Sequence, residues 1–231
     1  MPHPKKVLVS FSGGKDSMLS LHYMLSNPAY EVVGLFTTIQ AKDRRTVIHG
    51  LREEVLDFQA EAIGLPLQKV HLPDGCSNAL YEELMAKEMQ RAKEKGVTAV
   101  VFGDIHLEDI RVYREENMEK AGMEAIFPLW GKDTKQLMEE FISLGYETWM
   151  TTIDNNVLEE KLLGKSLDMD LLKELPDHVD PCGENGEFHT VVVDGPIFKQ
   201  HPGTLRSVDK IVQFDRFVTI DFRVDRKKEQ N

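Results

Sequence analysis

The stretch Val7-Leu8-Val9-Ser10-Phe11-Ser12-Gly13-Gly14-Lys15-Asp16-Ser17 constrains this chain more than any other. An apolar, β-branched run, a Ser/Gly turn and a helical spacing of Met18, Leu19, Leu21, Met24 and Leu25 predict strand, tight loop and helix in that order. Such a unit makes an anion site. Gly13 and Gly14 let backbone N–H groups approach a phosphate. The amides of the following helix and its positive dipole end point the same way. Lys15 adds a full charge, and the hydroxyls of Ser10, Ser12 and Ser17 add short polar contacts. The alternative is an ordinary Gly-rich turn before a helix.

A Walker A loop would need glycine where Val9 stands and Ser or Thr where Asp16 stands. Ser12-Gly13-Gly14-Lys15-Asp16-Ser17 instead resembles the pyrophosphate-binding loop of the N-type ATP pyrophosphatases, which cleave ATP between its α and β phosphates.

The length of 231 residues allows one large domain or two modest ones. No apolar stretch reaches membrane-spanning length, and the opening residues lack the apolar region of a signal peptide, so no membrane role and a cytoplasmic address are expected. Cys76 and Cys182 make no disulfide framework and no Cys-x-x-Cys pair. A formal net charge of -11 disfavours wide contact with a nucleic-acid backbone. A homodimer is a possible assembly.

Strands are expected at 31–39, 67–72 and 98–105, with helices at 46–62, 77–95 and 107–121 between and after them. Alternation of this kind implies crossover connections and a parallel sheet, whose ligands sit beyond the strands' carboxyl ends. Three strand ends are therefore candidate sites: Ser10 to Ser17, Thr37-Thr38 and Gly103-Asp104. Gly103 would let the chain approach a nucleotide, while Asp104 would hold a metal or a ribose hydroxyl, or else cap the next helix. Arg111, two turns on, could reach phosphate or a carboxylate; its neighbours Glu108, Arg114 and Glu115 read as a solvated face.

Beyond Pro128 the pattern changes. A strand at 125–131, a helix capped by Asp133 or Thr134, a strand at 146–153 and short helices at 155–163 and 168–175 lead to a second unusual stretch. This is Asp180-Pro181-Cys182-Gly183-Glu184-Asn185-Gly186-Glu187-Phe188-His189-Thr190, before a strand at Val191-Val192-Val193. Packing alone does not call for these residues; the alternative is a hairpin with a glycine bulge and exposed carboxylates. Alternation over 214–224 suggests a closing antiparallel strand, and the charged end from Asp225 onward should fray.

Ser12 to Ser17, Gly103-x-Ile105 with Glu108, Arg111 and Glu115, Pro128-Leu129-Trp130, Leu163-Gly164-Lys165 and Cys182 to Phe188 together resemble the diphthine-ammonia ligase family, over nearly the whole chain. The chain departs from diphthamide-making members at Asp109-Ile110 and His189-Thr190 and is similar to a bacterial-type branch. The resemblance implies an α/β fold. It would comprise a Rossmann-like (HUP-type) parallel sheet with helices on both faces, at 1–127, binding ATP, and a smaller C-terminal α+β substrate domain at 128–231.

It also implies adenylation of a carboxylate on a small molecule or a modified protein side chain, release of AMP and pyrophosphate, and transfer of ammonia from ammonium. On this expectation Lys15 and Mg²⁺ neutralise phosphate charge, Asp16 and Asp104 position the metal, and Thr37, Thr38, Gly103 and Arg111 line the nucleotide. Cys182, Gly183, Glu184, Gly186 and Glu187 would shape the amine and substrate side, with Glu184, Glu187 and His189 handling protons. Two rivals share the loop: tRNA thiolation through Cys76 and Cys182, and nucleotide sensing without turnover.

Overall fold

The computed structural model describes residues 3–47, 49–213 and 216–226. The chain separates into two compact units. Met1–Ser12, Asp16–Val47 and Leu65–Gly131 form the first; Gly13–Lys15, Ile48–Gly64 and Lys132–Asn231 form the second.

The first unit is built on β1 (Lys5–Ser10), α1 (Lys15–Ser26), β2 (Tyr30–Gln40) and β3 (Arg45–Thr46), continuing, after α2 (Glu53–Ile63) of the second unit, with β4 (Leu67–Leu72), α3 (Asn78–Glu94), β5 (Ala99–Val101), α4 (Glu108–Lys120) and β6 (Glu124–Ile126). Val7, Leu8 and Val9 are buried on successive positions, as a strand covered on both faces requires. The parallel strands lie in the order β4-β2-β1-β5-β6. The two-residue β3 pairs antiparallel with Ile39 and Gln40 of β2. This is the doubly wound order, with the reversal between β1 and β5.

One face carries Leu8, Phe36, Val70, Val100 and Phe102 against Met89 and Ala92 of α3 and Met118 of α4. Alternation turns Val7, Val9 and Val101 to the opposite face, and they are buried there, as are Met18, Leu21 and Met24 of α1. The Rossmann-like sheet flanked by helices is thus present as expected.

In the second unit, α5 (Thr134–Ser143) and α6 (Met169–Glu174) accompany an antiparallel sheet of β7 (Glu147–Asp154), β8 (Phe188–Asp194), β9 (Gly203–Gln213) and β10 (Phe217–Arg226), ordered β8-β7-β10-β9. Asp133 caps α5, its carboxylate accepting from the Gln136 amide at 2.8 Å. α2 packs on β10, where Arg52 makes a two-pronged bond to Asp221 at 2.8 and 2.5 Å.

Several elements differ from expectation. The helix read at 46–62 begins only at Glu53, because Arg44 and Gly50 take positive φ (58° and 64°) and Arg45-Thr46 is spent on β3. The strand read at 98–105 keeps three residues; beyond Phe102 the chain turns out of the ladder. The region 155–163 holds only a short 3₁₀ turn at Glu160–Leu162. Asp225 and Arg226, expected to fray, pair with Thr204 and Gly203 of β9, whereas Phe214, Asp215 and residues 227–231 lie outside the described residues.

Candidate active site

In the first unit the carboxyl ends of β1 and β5 lie side by side at the reversal of strand order. Ser10 ends β1, and Ser12 donates from N–H and hydroxyl to Ser17 Oγ at 3.3 and 3.2 Å, which fixes the two ends of the loop. A Cβ on Gly103 would stand 3.1 to 3.2 Å from the Asp16 carbonyl and the Ser17 nitrogen. Glycine at 103 therefore serves the approach of the β5 end to the Asp16-Ser17 peptide. Thr37 and Thr38 pair with Lys69 and Val70 of β4, one step beyond the level where Phe36 pairs Ser10.

Asp104 does not cap α4, whose N-cap is Leu107; it forms an ion pair with Arg114 Nε at 2.6 Å. Arg114 also lies over the Phe102 ring at 4.6 Å, so this arginine, and not Arg111, addresses the end of β5. Arg111 is held by Glu115 at 2.7 Å and by the Trp130 and Phe127 rings, 4.7 and 5.5 Å from its guanidinium. Among the described residues no group of three His, Cys, Asp or Glu side chains is placed to hold a metal ion. Asp104, expected to position a metal, is committed to Arg114.

The second unit contains the heart of the loop. Gly13 takes φ 82°, and its carbonyl accepts from Gln59 Nε2 at 2.8 Å and from the Val192 amide at 3.1 Å. Gln59 is fully buried on α2 and also donates to the Val192 carbonyl at 2.6 Å. A Cβ on Gly13 would meet Gln59 Oε1 at 2.6 Å, and one on Gly14 would meet the Thr190 carbonyl at 3.1 Å. The Lys15 amide donates to Thr190 Oγ1 at 3.1 Å. The Lys15 side chain, only 3% exposed, lies over the Phe188 ring at 5.3 Å. A buried ammonium in a low-dielectric wall is a strong anchor for an anion.

Beside it, the rings of His49 and His189 lie 4.4 Å apart. Burial, with Lys15 as a second cause, pushes His189 down to about 4. Burial, His189 and Lys15 hold His49 well below the ordinary 6.5. Both are neutral at neutral pH.

The loop at 180–187 is organised from within. Asp180 Oδ1 accepts from the amides of Cys182 and Glu184 at 2.8 and 3.2 Å. Glu187, 7% exposed, accepts from the Asp180 amide, the Asn185 amide and Asn185 Nδ2, each at 3.0 Å. Gly183 and Gly186 take positive φ, and a Cβ on Gly183 would strike the Phe188 carbonyl at 2.7 Å. The Cys182 thiol, 2% exposed, donates to the Thr134 carbonyl at 3.3 Å. Glu184 is half-buried.

The structure thus gathers Gly13, Gly14, Lys15, Thr190 and His189 with His49 and Gln59, two residues that sequence reasoning passed over. Gly50 beside His49 was the available signal, since it breaks the helix read there.

Comparison with known proteins bears on the family. A sequence model of the diphthamide synthase N-terminal domain matches residues 5–125, and that of the diphthamide synthase C-terminal domain matches residues 133–220. A zebrafish (Danio rerio) protein named diphthine–ammonia ligase is 30% identical over 217 residues, covering 84% of each chain. The human one is 27% identical over 225 residues, covering 84% of this chain and 81% of its own. The Schizosaccharomyces pombe one is 29% identical over 216 residues, but this chain spans only 35% of its length. Among solved structures, a tRNA thiolase of Methanococcus maripaludis aligns at a TM-score of 0.37 and 20% identity, over 62% of this chain and 57% of that one. With both family models matched in register along the sequence, this chain belongs to the diphthamide synthase family.

Proposed function

We propose that this chain is an ATP-dependent, amide-forming ligase that adenylates a carboxylate, releases pyrophosphate, and replaces AMP by ammonia. One observation carries the reading: the Lys15 amide is bonded to Thr190 Oγ1, which sets the Gly13–Lys15 part of the phosphate loop against the end of the Cys182–Thr190 motif. The relatives' name, diphthine–ammonia ligase, makes the diphthine carboxylate on a protein the first candidate acceptor.

A carboxylate resists amines because oxide is a poor leaving group. Attack of its oxygen on the α-phosphorus forms the acyl-adenylate as the bond to the pyrophosphate oxygen breaks. Ammonia then adds to the acyl carbon, the bond to AMP breaks, and the surplus proton leaves the nitrogen. Lys15, the loop amides and the hydroxyls of Ser12 and Ser17 bind the pyrophosphate end and offset charge on its leaving oxygen. Glu184 faces the amine side and takes its proton. Glu187, with its oxygens engaged by three N–H groups, positions the loop and is no proton acceptor. Mg²⁺ belongs to the nucleotide, as its counterion.

Thiolation through Cys76 and Cys182 has no supporting observation, since the Cys182 thiol is buried and bonded to Thr134. Among the described residues no helix is long and apolar enough to cross a membrane. The test supplies ATP, magnesium ion and ¹⁵N-ammonium together with either diphthine-bearing protein or a metabolite extract. Amide ¹⁵N in one acceptor, with AMP in equal amount, is expected. ATP binding without AMP in either arm would make the chain a sensor and overturn the reading.

A further inference from the structure

His49 lies in the turn before α2, and His189 is the second residue of β8. His189 was expected from the sequence to handle protons and His49 was not singled out; both border the phosphate loop. His49 Nε2 comes within 3.5 Å of the place a Cβ on Gly14 would occupy. The two rings are in contact at 4.4 Å with a tilt of 53°. Thr190, next to His189, holds the Lys15 amide, and Thr152 Oγ1 of β7 donates to the His49 carbonyl at 3.5 Å. The turn, β8 and the loop are thereby fixed around one spot.

Among the described residues, the charged and titratable groups that act on the pair lie in the loop and in the pair itself. His49 is faced by His189 and Lys15, and His189 by Lys15. All of these disfavour a proton, and burial disfavours it more. A polyphosphate beside Lys15 reverses that field, because several negative charges outweigh one ammonium at short range. One ring then gains by becoming imidazolium and donating a charge-assisted bond; two charged rings in contact would repel, so a single proton is shared.

We propose that His49 and His189 are the proton-accepting half of the polyphosphate site, taking one proton from solvent when pyrophosphate or a nucleotide's triphosphate tail binds and donating it in a hydrogen bond to a phosphate oxygen. The inference rests on the reading of Ser12 to Ser17 as the phosphate loop. Both histidines are positioning residues for the leaving pyrophosphate. The free pair is neutral and the bound pair charged, so affinity is highest at low pH and falls as pH rises through the titration of the complex.

The test is calorimetric titration of the full chain with pyrophosphate, and separately with ATP, in two buffers of different ionisation enthalpy at pH 7. Binding to a cationic site strips protons from pyrophosphate, so net uptake by the wild type has to come from the protein. The wild type should take up close to one proton more than His49→Gln/His189→Gln. Its affinity should also fall up to about tenfold more per pH unit than that of the double variant between pH 7 and 8. Equal uptake and equal pH slopes in wild type and the His49→Gln/His189→Gln double variant overturn the inference and leave the phosphate loop standing. No binding of either ligand to the wild type overturns the loop and the inference together. Should the double variant fail to fold, an affinity of the wild type for ATP that does not fall as pH rises from 7 to 8 is the overturning result.

Discussion

The amide of Lys15 and the hydroxyl of Thr190 meet at 3.1 Å across 175 positions of sequence, and this bond ties the Gly13–Lys15 segment to β8. Thr190→Val keeps the shape but leaves a buried N–H without its acceptor, a cost of about 1–3 kcal/mol. Thermal unfolding should show a clear drop, and ATP affinity should fall with it. Thr190→Ser should recover both.

Gly103→Ala should be destabilising although alanine suits most backbones. Its Cβ would press on the Asp16 carbonyl and the Ser17 nitrogen at 3.1 to 3.2 Å, and backbone yields less readily than a side chain. A loss of about 1–3 kcal/mol in chemical denaturation is expected. Wild-type stability with normal nucleotide affinity would refute the tight approach of β5 to the loop.

Glu187→Gln removes one acceptor oxygen from a carboxylate that serves three N–H groups and sets an NH₂ against a donor. The loop at 180–187 should loosen, visible as faster amide hydrogen exchange at Asn185 and Asp180. ATP binding should persist while amide formation is lost. Retained product with unchanged exchange would show that the carboxylate charge has no part in holding the loop.

Much of the first unit was legible because its strands are uninterrupted apolar runs and its helices carry caps such as Ser77, which accepts from the Leu80 amide at 3.3 Å. Where local pattern and tertiary packing disagreed, the sequence misled. Val47, Leu51 and Val55 keep helical spacing across His49 and Gly50, so a turn read as a helix hid the histidine. The choice between Arg111 and Arg114 depended on which guanidinium found aromatic rings and which found Asp104, and spacing carries no such information. β9 escaped notice because it is an edge strand, mostly exposed and paired on one side by β10, and needs no apolar alternation. Glu187 was legible as unusual but not as the organiser of its own loop, since that role follows from three distances.

Acid should destabilise the chain through the histidine pair. A base with a lowered folded value is out-competed by the unfolded chain for protons, so its contribution is complete above about pH 6.5 and is lost as pH falls toward about 4. Asp154, held below its usual range by Arg216, adds a further loss at lower pH, where the unfolded carboxylate protonates first. Urea titrations at pH 7 and 5 should show a smaller difference for His189→Gln than for wild type. An equal difference would mean that His189 titrates normally in the folded state.

The most direct measurement separates the products formed from ATP by the wild type and by Lys15→Ala, with magnesium ion, ammonium and a diphthine-bearing protein or metabolite extract supplied. Expected are AMP and pyrophosphate in equal amounts from the wild type and neither from Lys15→Ala. ADP and orthophosphate in their place, or undiminished AMP from the variant, would contradict the assignment of the Ser12 to Ser17 loop.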